Sequence, residues 1–380
     1  MIRIVHIITG LSTGGAEMML YKLLSNYNKN LFKPVVISLM DRGTLGNRIE
    51  KLGIPVYAVG IIKHHLRPIV FYRFIKLIYQ LKPDIIQGWM YHGNIASSLA
   101  GLCLLNKVPI LWNIRHTPYN LKEEKWFTSI LIRLGALFSH QPKYIIYNSQ
   151  ASAYHHKLLG YNNKLHKIIP NGFDCFQFKP SITARLTLRN ELKLKKDDFL
   201  IGFIARYHPM KNHVDFIRAA RKLISKYPYI HFVLAGRNVN KFNSVLVNLI
   251  KEEGIVSQVH LLDERNDISE ITAAPDIATN FSSWGESFSN AIGEAMACGI
   301  PCVVTDIGDS ALIVGDTGIV IPTKNIDELV KAWIKLIKIS SEGRKQLGQK
   351  ARERIVNNFS LLKIINNYEE VYREVLNIKR

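Results

Sequence analysis

Two carboxylates in the last third of the chain, Glu286 and Glu294, are spaced so that they can act at one site. The stretch WGESFSNAIGEAMACGIP places the first in a loop after a predicted strand and the second on the helix that follows. Small polar residues at the helix start, Ser287, Ser289 and Asn290, surround backbone N–H groups that favour an anion. An ionised carboxylate only accepts hydrogen bonds, so sugar or ribose hydroxyls are its natural partners. The stretch therefore predicts a site for a diphosphate that carries hydroxyl groups.

Two cations precede these acids in the stretch GFIARYHPMKNH, which runs from the end of a predicted strand into a helix. Arg206 can bind phosphate oxygens with two parallel hydrogen bonds, and Lys211 adds a point charge five positions later. Positive charge placed where negative charge develops is usually the largest catalytic effect. We expect Arg206 and Lys211 to neutralise a diphosphate as it leaves.

The elements that position these residues alternate between strands and helices in both halves of the chain, which predicts parallel sheets covered by helices. In the first half we predict strands at 2–8, 34–39, 54–59, 85–87, 110–114 and 144–148, and helices at 16–27, 44–52, 69–81, 94–103 and 122–137. In the second half we predict strands at 199–205, 230–235, 259–262, 277–280, 301–305 and 319–321, and helices at 214–226, 244–253, 268–273, 288–297, 326–340, 343–358 and 361–375.

This alternation predicts an α/β protein with two Rossmann-like domains that face a central cleft. We expect an N-terminal domain at 1–172, a connector at 173–197, a C-terminal domain at 198–358, and a last helix at 359–380 that packs back on the N-terminal domain. Ligands of open α/β sheets bind at the carboxyl ends of the strands. The site should therefore use loops that follow strands in both domains.

The net charge of +20 on 380 residues is concentrated in the first half. Residues 1–180 hold 22 Lys and Arg against 7 Asp and Glu, whereas residues 181–380 hold 28 against 23. A basic half indicates a nucleic acid, an acidic membrane surface or a phosphorylated substrate as partner, or a solvated surface without one. No nucleic-acid module accompanies the charge, so nucleic acid is the least favoured of these partners.

The chain resembles the retaining glycosyltransferases of family 4, which have the GT-B fold. The resemblance rests on Glu286, seven intervening residues and then Glu294-Ala-Met-Ala-Cys-Gly-Ile-Pro301, with Arg206 and Lys211 upstream. The loop Gly14 to Glu17, the junction Pro170-Asn171-Gly172 with Asp174, and Gly315–Gly318 match further elements of the family in the expected order.

The resemblance implies a role for each matching residue. Glu294 would bind the donor ribose, and Glu286 would lie near the transferred sugar. Gly14 and Gly15 would let the backbone approach the donor phosphates, and His92 would reach the donor sugar. Ser287, Phe288, Ser289 and Asn290 would complete the donor site, although Ser287 and Ser289 replace the Gly and Pro common in the family. Glu286, His92, Arg206 and Lys211 are thus the predicted catalytic set.

The acceptor side is expected in the basic half. Arg115 and His116 end a predicted strand, so we expect them at the cleft, in contact with donor, acceptor or protein. Two segments, residues 61–82 and 122–137, interleave cations with large apolar residues such as Trp126 and Phe127. Basic amphipathic helices of this kind can lie on an anionic membrane, although an aromatic face at helical spacing is usually core. Both interpretations stay open.

Several residue types suggest no further site. The pairs His64-His65 and His155-His156 lack an acid or Cys at ligand spacing and are predicted on the surface. The four cysteines are predicted to be small buried residues in a reducing compartment. No Asp-x-Asp occurs in the sequence, so we expect Arg206 and Lys211 to replace a metal and the chain to need no cofactor.

These features predict a retaining glycosyltransferase that moves a hexose or N-acetylhexosamine from a UDP-sugar to a lipid-linked saccharide in lipopolysaccharide, O-antigen or capsule synthesis. Family frequency alone favours UDP over GDP or ADP. We expect same-face attack, and a cytoplasmic enzyme peripheral to the inner face of the cytoplasmic membrane. The alternatives are a non-catalytic nucleotide-sugar-binding protein and another GT-B enzyme, either a phosphorylase or a nucleotide-sugar epimerase.

Overall fold

The structure is a computed structural model that describes residues 1–61, 68–162 and 164–378. It divides into two compact units. The first comprises Met1–Gly172 together with Leu362–Arg380, and the second comprises Phe173–Leu361. Each unit is an α/β structure around one parallel sheet.

The first unit contains a parallel sheet in the order β3-β2-β1-β4-β5-β6-β7. Its strands are β1 (Ile2–Ile8), β2 (Phe32–Ser38), β3 (Val56–Ala58), β4 (Ile85–Trp89), β5 (Ile110–Ile114), β6 (Tyr144–Tyr147) and β7 (His166–Ile168). Its helices are α1 (Gly15–Asn26), α2 (Gly43–Glu50), α3 (Pro68–Leu81), α4 (Met90–Cys103), α5 (Trp126–Phe138) and α6 (Gln150–Leu158). The central strands β1, β4 and β5 are almost wholly buried, because helices cover both faces of such a sheet.

The second unit repeats this plan with the strand order β10-β9-β8-β11-β12-β13. Its strands are β8 (Phe199–Ile204), β9 (Ile230–Ala235), β10 (Val259–Leu261), β11 (Ile277–Asn280), β12 (Cys302–Thr305) and β13 (Ile319–Ile321). Its helices are α7 (Ile182–Glu191), α8 (His213–Ile224), α9 (Ser244–Glu252), α10 (Ile268–Ala273), α11 (Asn290–Ala297), α12 (Ser310–Val314), α13 (Ile326–Lys338) and α14 (Ser341–Phe359). An aromatic core of Phe203, Phe216, Phe232 and Trp333 lies between the sheet and α8 and α13.

The last helix, α15 (Leu361–Val375), buries Tyr368 and Tyr372 in the first unit. The Tyr372 hydroxyl donates to Oε1 of Gln87 at 2.6 Å, and Nδ2 of Asn113 donates to the Tyr368 hydroxyl at 2.7 Å. The Glu369 carboxylate accepts a hydrogen bond from the backbone N–H of Asn28 at 2.7 Å. These polar contacts fix the helix against the sheet and the β1–β2 connection.

The segment 173–197, expected as a connector, is instead part of the second unit and contains α7. Ser181 caps the helix by accepting from the backbone N–H of Ala184, and Leu188 joins the apolar cluster under β8 and β9. Arg185 pairs with Asp276 at 2.7 Å. The apolar residues of this helix do not recur at a clear helical spacing, which is why the sequence did not predict it. Burial and ion pairs stabilise the helix.

Other predicted elements differ at their ends or were missed. Helix α5 begins at Trp126 rather than Lys122, and α6, β7 and α12 were not predicted. His156 of α6 is buried, so its prediction as a surface residue was wrong. Its ring is enclosed by the aromatic side chains of Tyr91, Tyr147 and Tyr161. His64 and His65 lie outside the described residues.

The cysteines follow their prediction only in part. All four are free, Cys298 and Cys302 are buried, and Cys103 and Cys175 are partly exposed. Burial raises the pKa of the Cys298 thiol to about 12. That thiol is therefore a packing group and not a nucleophile at neutral pH.

Candidate functional site

Sheet order brings the predicted cations and acids of the second unit together. β8 and β11 pair in parallel, so the loops that follow them leave the same edge of the sheet side by side. The first loop carries Arg206 and Lys211, and the second carries Glu286. The two loops are joined by a backbone hydrogen bond of 2.8 Å from the N–H of Ser283 to the carbonyl of Met210.

Lys211 and Glu286 form a largely buried ion pair, in which the ammonium group donates to Oε1 of the carboxylate. The Ser282 hydroxyl donates to the same oxygen at 2.8 Å. Burial alone would raise the pKa of the Glu286 carboxyl, but Lys211 and the hydrogen bonds from Ser282 and Asn280 outweigh it and lower that pKa. Glu286 is therefore ionised at neutral pH and can accept hydrogen bonds from hydroxyl groups.

Local backbone geometry sets the position of Lys211. The residue ends a short 3₁₀ turn, Pro209–Lys211, whose start is capped by the His208 ring accepting from the N–H of Met210 at 3.2 Å. Asn212 then takes a left-handed conformation with φ of 58°, and α8 begins at the next residue. Arg206 lies at the end of β8 and is exposed, so its guanidinium is open to solvent.

The loop that holds Glu286 is supported by polar residues that sequence reasoning did not select. The Thr305 hydroxyl donates to the Ser282 carbonyl at 2.7 Å, and Nδ2 of Asn280 donates to the Ser289 hydroxyl at 2.9 Å. The run TNFSS, which forms the end of β11 and the residues after it, was the available signal, because polar residues at the carboxyl end of a buried strand lie at the edge where ligands bind.

Gly308, in the loop after β12, is a second missed residue. Its φ of 59° is one that non-glycine residues rarely adopt. A Cβ there would lie 2.6 Å from the Ser287 carbonyl oxygen and 2.7 Å from that of Glu286. The neighbouring Asp309 N–H donates to the same Ser287 carbonyl at 2.9 Å. The β12 loop thus fixes the Glu286 loop by close backbone contact.

The remaining predicted donor residues lie at the start of α11. Ser289 is the N-cap residue, Asn290 is the first helical residue and Glu294 is half-buried on the second turn. The Phe288 side chain packs between Phe173 and Phe359 in the core. The start of α11 carries the partial positive charge of a helix N-terminus beside the Lys211–Glu286 pair.

In the first unit, the predicted residues follow β1, β4 and β5, which are neighbours in the sheet. Gly14 precedes α1 with extended backbone, and a Cβ on Gly15 would meet no atom within 4 Å. His92 lies in the first turn of α4 with its ring centre 5.8 Å from that of Phe127, and burial lowers its pKa. His92 is therefore neutral at pH 7.

Arg115 is bound within its own unit. Its guanidinium donates to the Tyr368 hydroxyl at 2.8 Å, to Oδ1 of Asn113 at 3.4 Å and to the side-chain oxygen of Asn171 in the Pro-Asn-Gly junction. Its Nε atom is buried and has no partner among the described residues. Burial lowers the pKa of Arg115, and all three acceptors are neutral. The side chain therefore ties α15 and the junction to the end of β5.

His116 belongs to a hydrogen-bonded chain that sequence reasoning missed. The Tyr91 hydroxyl lies 3.0 Å from both Nδ1 of His116 and Nε2 of His156. Nδ1 of His156 lies 2.8 Å from the Ser152 carbonyl and donates to it, so its Nε2 accepts from Tyr91. Tyr91 then accepts from His116, whose Nε2 lies 3.1 Å from the Glu124 carboxylate.

Among the described residues, no cluster of three or more His, Cys, Asp or Glu side chains could hold a metal ion. The cation in contact with Glu286 is Lys211, and α11 begins four residues after Glu286.

The chain matches two family profiles and several characterised proteins. The profile described as Glycosyl transferases group 1 matches residues 184–354, and the one described as Glycosyltransferase Family 4 matches residues 13–176. The UDP-Gal:alpha-D-GlcNAc-diphosphoundecaprenol alpha-1,3-galactosyltransferase of Escherichia coli is 29% identical over 213 residues, 55% of this chain and 54% of that protein. The N-acetyl-alpha-D-glucosaminyl L-malate synthase of Bacillus anthracis is 28% identical over 201 residues, 52% of this chain and 51% of that protein.

The chain therefore matches about half the length of these two relatives. Among solved structures, HepE of Anabaena in complex with UDP superimposes with a TM-score of 0.86 at 22% identity, over 98% of this chain and 100% of that one. A likeness at that identity concerns the fold, and it agrees with two parallel-sheet units of the Rossmann type. The two family profiles together span both units, and the chain belongs to the group 1 glycosyltransferases of family 4, which have the GT-B fold.

Proposed function

We propose that the chain transfers a hexose or N-acetylhexosamine, with retention of configuration, from a UDP-sugar to a lipid-linked saccharide in cell-surface glycan synthesis. The observation that carries the proposal is the buried Lys211–Glu286 pair beside the start of α11. A buried ion pair costs desolvation and is weak evidence for stability, so a role in binding accounts for it better.

The diphosphate of the donor would lie between Lys211, Arg206 and the start of α11. The exposed Arg206 guanidinium could bind two phosphate oxygens, the Lys211 ammonium would add a point charge, and the N-terminus of α11 would add its partial positive charge. We propose that these groups supply the positive charge and that no divalent metal is required. Glu294 would accept hydrogen bonds from the ribose, and Glu286 from the hydroxyls of the sugar.

The proposal of UDP as the nucleotide rests on relatives. The Escherichia coli relative is named for UDP-Gal, and the Anabaena structure contains UDP. Gly14, Gly15 and His92 keep the predicted roles of donor approach and sugar contact. These roles remain predictions.

For the chemical step we propose same-face attack. The bond between the sugar C1 and the β-phosphate oxygen breaks, and the acceptor oxygen forms the new bond to C1 on the same face. The acceptor proton passes to the leaving phosphate oxygen, and Lys211 and Arg206 stabilise the diphosphate charge. Glu286 is a poor nucleophile for a covalent route, because Lys211 and Ser282 both donate to Oε1.

The acceptor and the membrane are proposed from an exposed surface of the first unit. α4 packs between α3 and α5, and these two helices expose large apolar side chains in addition to the ones they bury. Trp126 is 71% exposed, Leu137 75% and Tyr72 61%. Arg73, Lys76, Lys125 and Arg133 are exposed on or beside the same helices.

We name this surface, formed by α3 and α5, the α3/α5 face, and propose that it lies on an anionic bilayer and presents a lipid-linked acceptor. Apolar side chains interleaved with cations are the pattern of interfacial binding. The Escherichia coli relative is named for a diphosphoundecaprenol acceptor. Among the described residues, no helix is both long and apolar enough to cross a membrane. The enzyme would therefore bind peripherally, on the cytoplasmic side of the cytoplasmic membrane.

The membrane proposal is tested by flotation with vesicles of phosphatidylglycerol and phosphatidylethanolamine. The double variant Lys125→Glu and Arg133→Glu should bind at least about tenfold more weakly, since each charge near the surface contributes about 1 kcal/mol. Lys29→Glu with Lys51→Glu changes two exposed cations outside the α3/α5 face and is the matched control. Equal losses in both double variants would show general charge attraction, and binding unchanged by the first would refute the role of the face.

The function itself is tested by incubating the full chain in EDTA with UDP-glucose, UDP-galactose or UDP-N-acetylglucosamine and a diphosphoundecaprenol-linked N-acetylglucosamine. We expect one donor to release UDP together with a new α-glycosidic bond, read by mass spectrometry and NMR. A β-linked product would refute retention. UDP release without a glycosidic product, or interconversion of the UDP-sugars, would replace the transferase proposal with a hydrolase or an epimerase.

A further inference from the structure

A recess of about 260 Å³ opens in the second unit between the loops after β8 and β11. Its walls include the rings of Tyr207 and Trp284, and the Lys324 ammonium lies 5.9 Å from the centre of the Trp284 ring. Neither Lys211 nor Glu286 lines the recess. Pockets for drug-sized ligands are usually about 300–1,000 Å³, so this one fits a single small ring rather than a nucleotide.

His213, the first residue of α8, lines this recess and is almost fully buried. Neither of its ring nitrogens has a hydrogen-bond partner of normal geometry among the described residues. Burial lowers the pKa of His213 to about 4, against a smaller opposing effect of the Ala205 carbonyl. The ring is therefore neutral, and with its N–H directed towards the Ala205 carbonyl it keeps one acceptor nitrogen for a ligand. Buried polar groups without partners are rare in proteins and call for an explanation.

The other polar groups define which ligand fits. Asp215, in the first turn of α8, lines the recess, and its carboxylate accepts from Nδ2 of Asn212 at 3.1 Å and from Arg218 at 3.3 Å. The Asp215 carboxylate and the acceptor nitrogen of His213 suit a ligand that donates hydrogen bonds, and the Lys324 ammonium suits one that accepts them; hydroxyls do both. The faces of Tyr207 and Trp284 add apolar area for the carbon skeleton of a ring.

We propose that this recess is a saccharide subsite, in which one pyranose ring of a glycan lies against Trp284 and its hydroxyls bond to His213 and Asp215. The subsite is separate from the proposed donor site, and its occupation does not require turnover. It gives the second unit a contact with a glycan chain in addition to the sugar being transferred.

The test is saturation-transfer NMR on the full chain with methyl α-D-glucopyranoside, methyl α-D-galactopyranoside and methyl N-acetyl-α-D-glucosaminide, with and without excess UDP. At least one glycoside should receive saturation in both conditions. His213→Phe and Trp284→Ala should each raise its Kd about tenfold, since the first removes a hydrogen-bond partner and the second removes the ring against which the pyranose lies. Phe242→Ala, which removes an exposed aromatic ring outside the recess, is the matched control and should leave the Kd unchanged.

Asp215→Asn gives a second variant close to the native shape, and circular dichroism checks the fold of each. Three results would overturn the proposal. The first is that no glycoside receives saturation. The second is that binding survives in His213→Phe and Trp284→Ala but is lost in Lys211→Ala, and the third is that inorganic phosphate displaces the glycoside. The third result would make the recess an anion site. UDP binding is titrated separately in the same samples, so failure of the proposed donor site is distinguishable.

Discussion

Both units contain a parallel sheet, but the polar residues at the carboxyl ends of the strands make different contacts in the two sheets. In the second unit, loops after the neighbouring strands β8 and β11 bring Lys211 and Glu286 together beside the start of α11. In the first unit, Arg115 and His116 follow β5 and are bonded to Tyr368, Asn171, Tyr91 and Glu124 of the same unit. The second unit therefore gathers charged groups for a ligand, whereas the first uses its charged groups largely to fix its own loops and last helix.

A polar residue at the end of a strand is therefore not by itself a ligand contact. Its hydrogen bonds decide whether the group is available. Substitutions at the charged groups of the second unit should change activity more than stability. Substitutions in the polar chains of the first unit should change stability more than chemistry.

The largest effect is expected for Glu286→Gln. It removes the negative charge that balances the buried Lys211 and the acceptor for sugar hydroxyls. We expect kcat to fall about 100- to 1,000-fold, the usual result of losing one charged group at the transition state. Steady-state kinetics with the active UDP-sugar measure the change. Glu328→Gln, at an exposed pair with Lys331, should keep the wild-type rate, and a wild-type rate in Glu286→Gln would remove that acid from the site.

A pH effect on stability is expected from two buried histidines of the first unit. Burial lowers the pKa of His6 and His156 to about 3, below the value of about 6.5 in an unfolded chain. The unfolded state therefore binds protons first, so stability is complete above pH 6.5 and falls as pH drops towards 3. At pH 5 each ring should cost up to about 2 kcal/mol. The unfolding free energy is measured by urea unfolding between pH 7 and pH 5. It should fall less with decreasing pH in His156→Gln than in the exposed control His140→Gln, and an equal fall in both would contradict the assignment.

Gly308→Ala tests how the β12 loop holds the Glu286 loop. We expect a loss of about 2 kcal/mol of stability from left-handed strain and the contact with the Ser287 carbonyl, and a kcat at least about tenfold lower. Gly254 also has positive φ, but a Cβ there meets no atom within 4 Å. Gly254→Ala should therefore cost about 1 kcal/mol without changing kcat. Thermal unfolding and kinetics of both variants measure the difference, and equal kcat values would refute a positioning role for Gly308.

The smallest effect concerns the last helix. Tyr368→Phe removes the hydroxyl that accepts from Asn113 and Arg115, and leaves both donors with one partner fewer. We expect a loss of about 1–2 kcal/mol in unfolding free energy with kcat within about threefold of wild type. Tyr154→Phe, at an exposed tyrosine, should have no measurable effect. If kcat fell while the unfolding free energy stayed unchanged, Arg115 would be assigned to substrate contact and not to stabilising the fold.

The strand and helix pattern was predictable wherever apolar runs are long, as in β1, β5 and α15. α7, α12 and β7 were missed because they are short or weakly periodic, and their stability comes from caps, ion pairs and contacts with other elements. The Lys211–Glu286 pair could be anticipated, because motif spacing and parallel strand order place both loops at one edge. The chain from His116 through Tyr91 to His156 could not, since it joins residues 25 and 65 positions apart through contacts that only the fold creates.

The central claim is that Lys211, with Glu286 and the start of α11, binds the diphosphate of the donor without a metal. Calorimetric titration of UDP into the full chain in EDTA tests it most directly. We expect UDP to bind, and Lys211→Ala to weaken binding about 100-fold, while Lys222→Ala, at an exposed lysine paired with Asp327, leaves the Kd unchanged. Binding that appears only after Mg²⁺ is added, or that is equally tight in Lys211→Ala, would contradict the account.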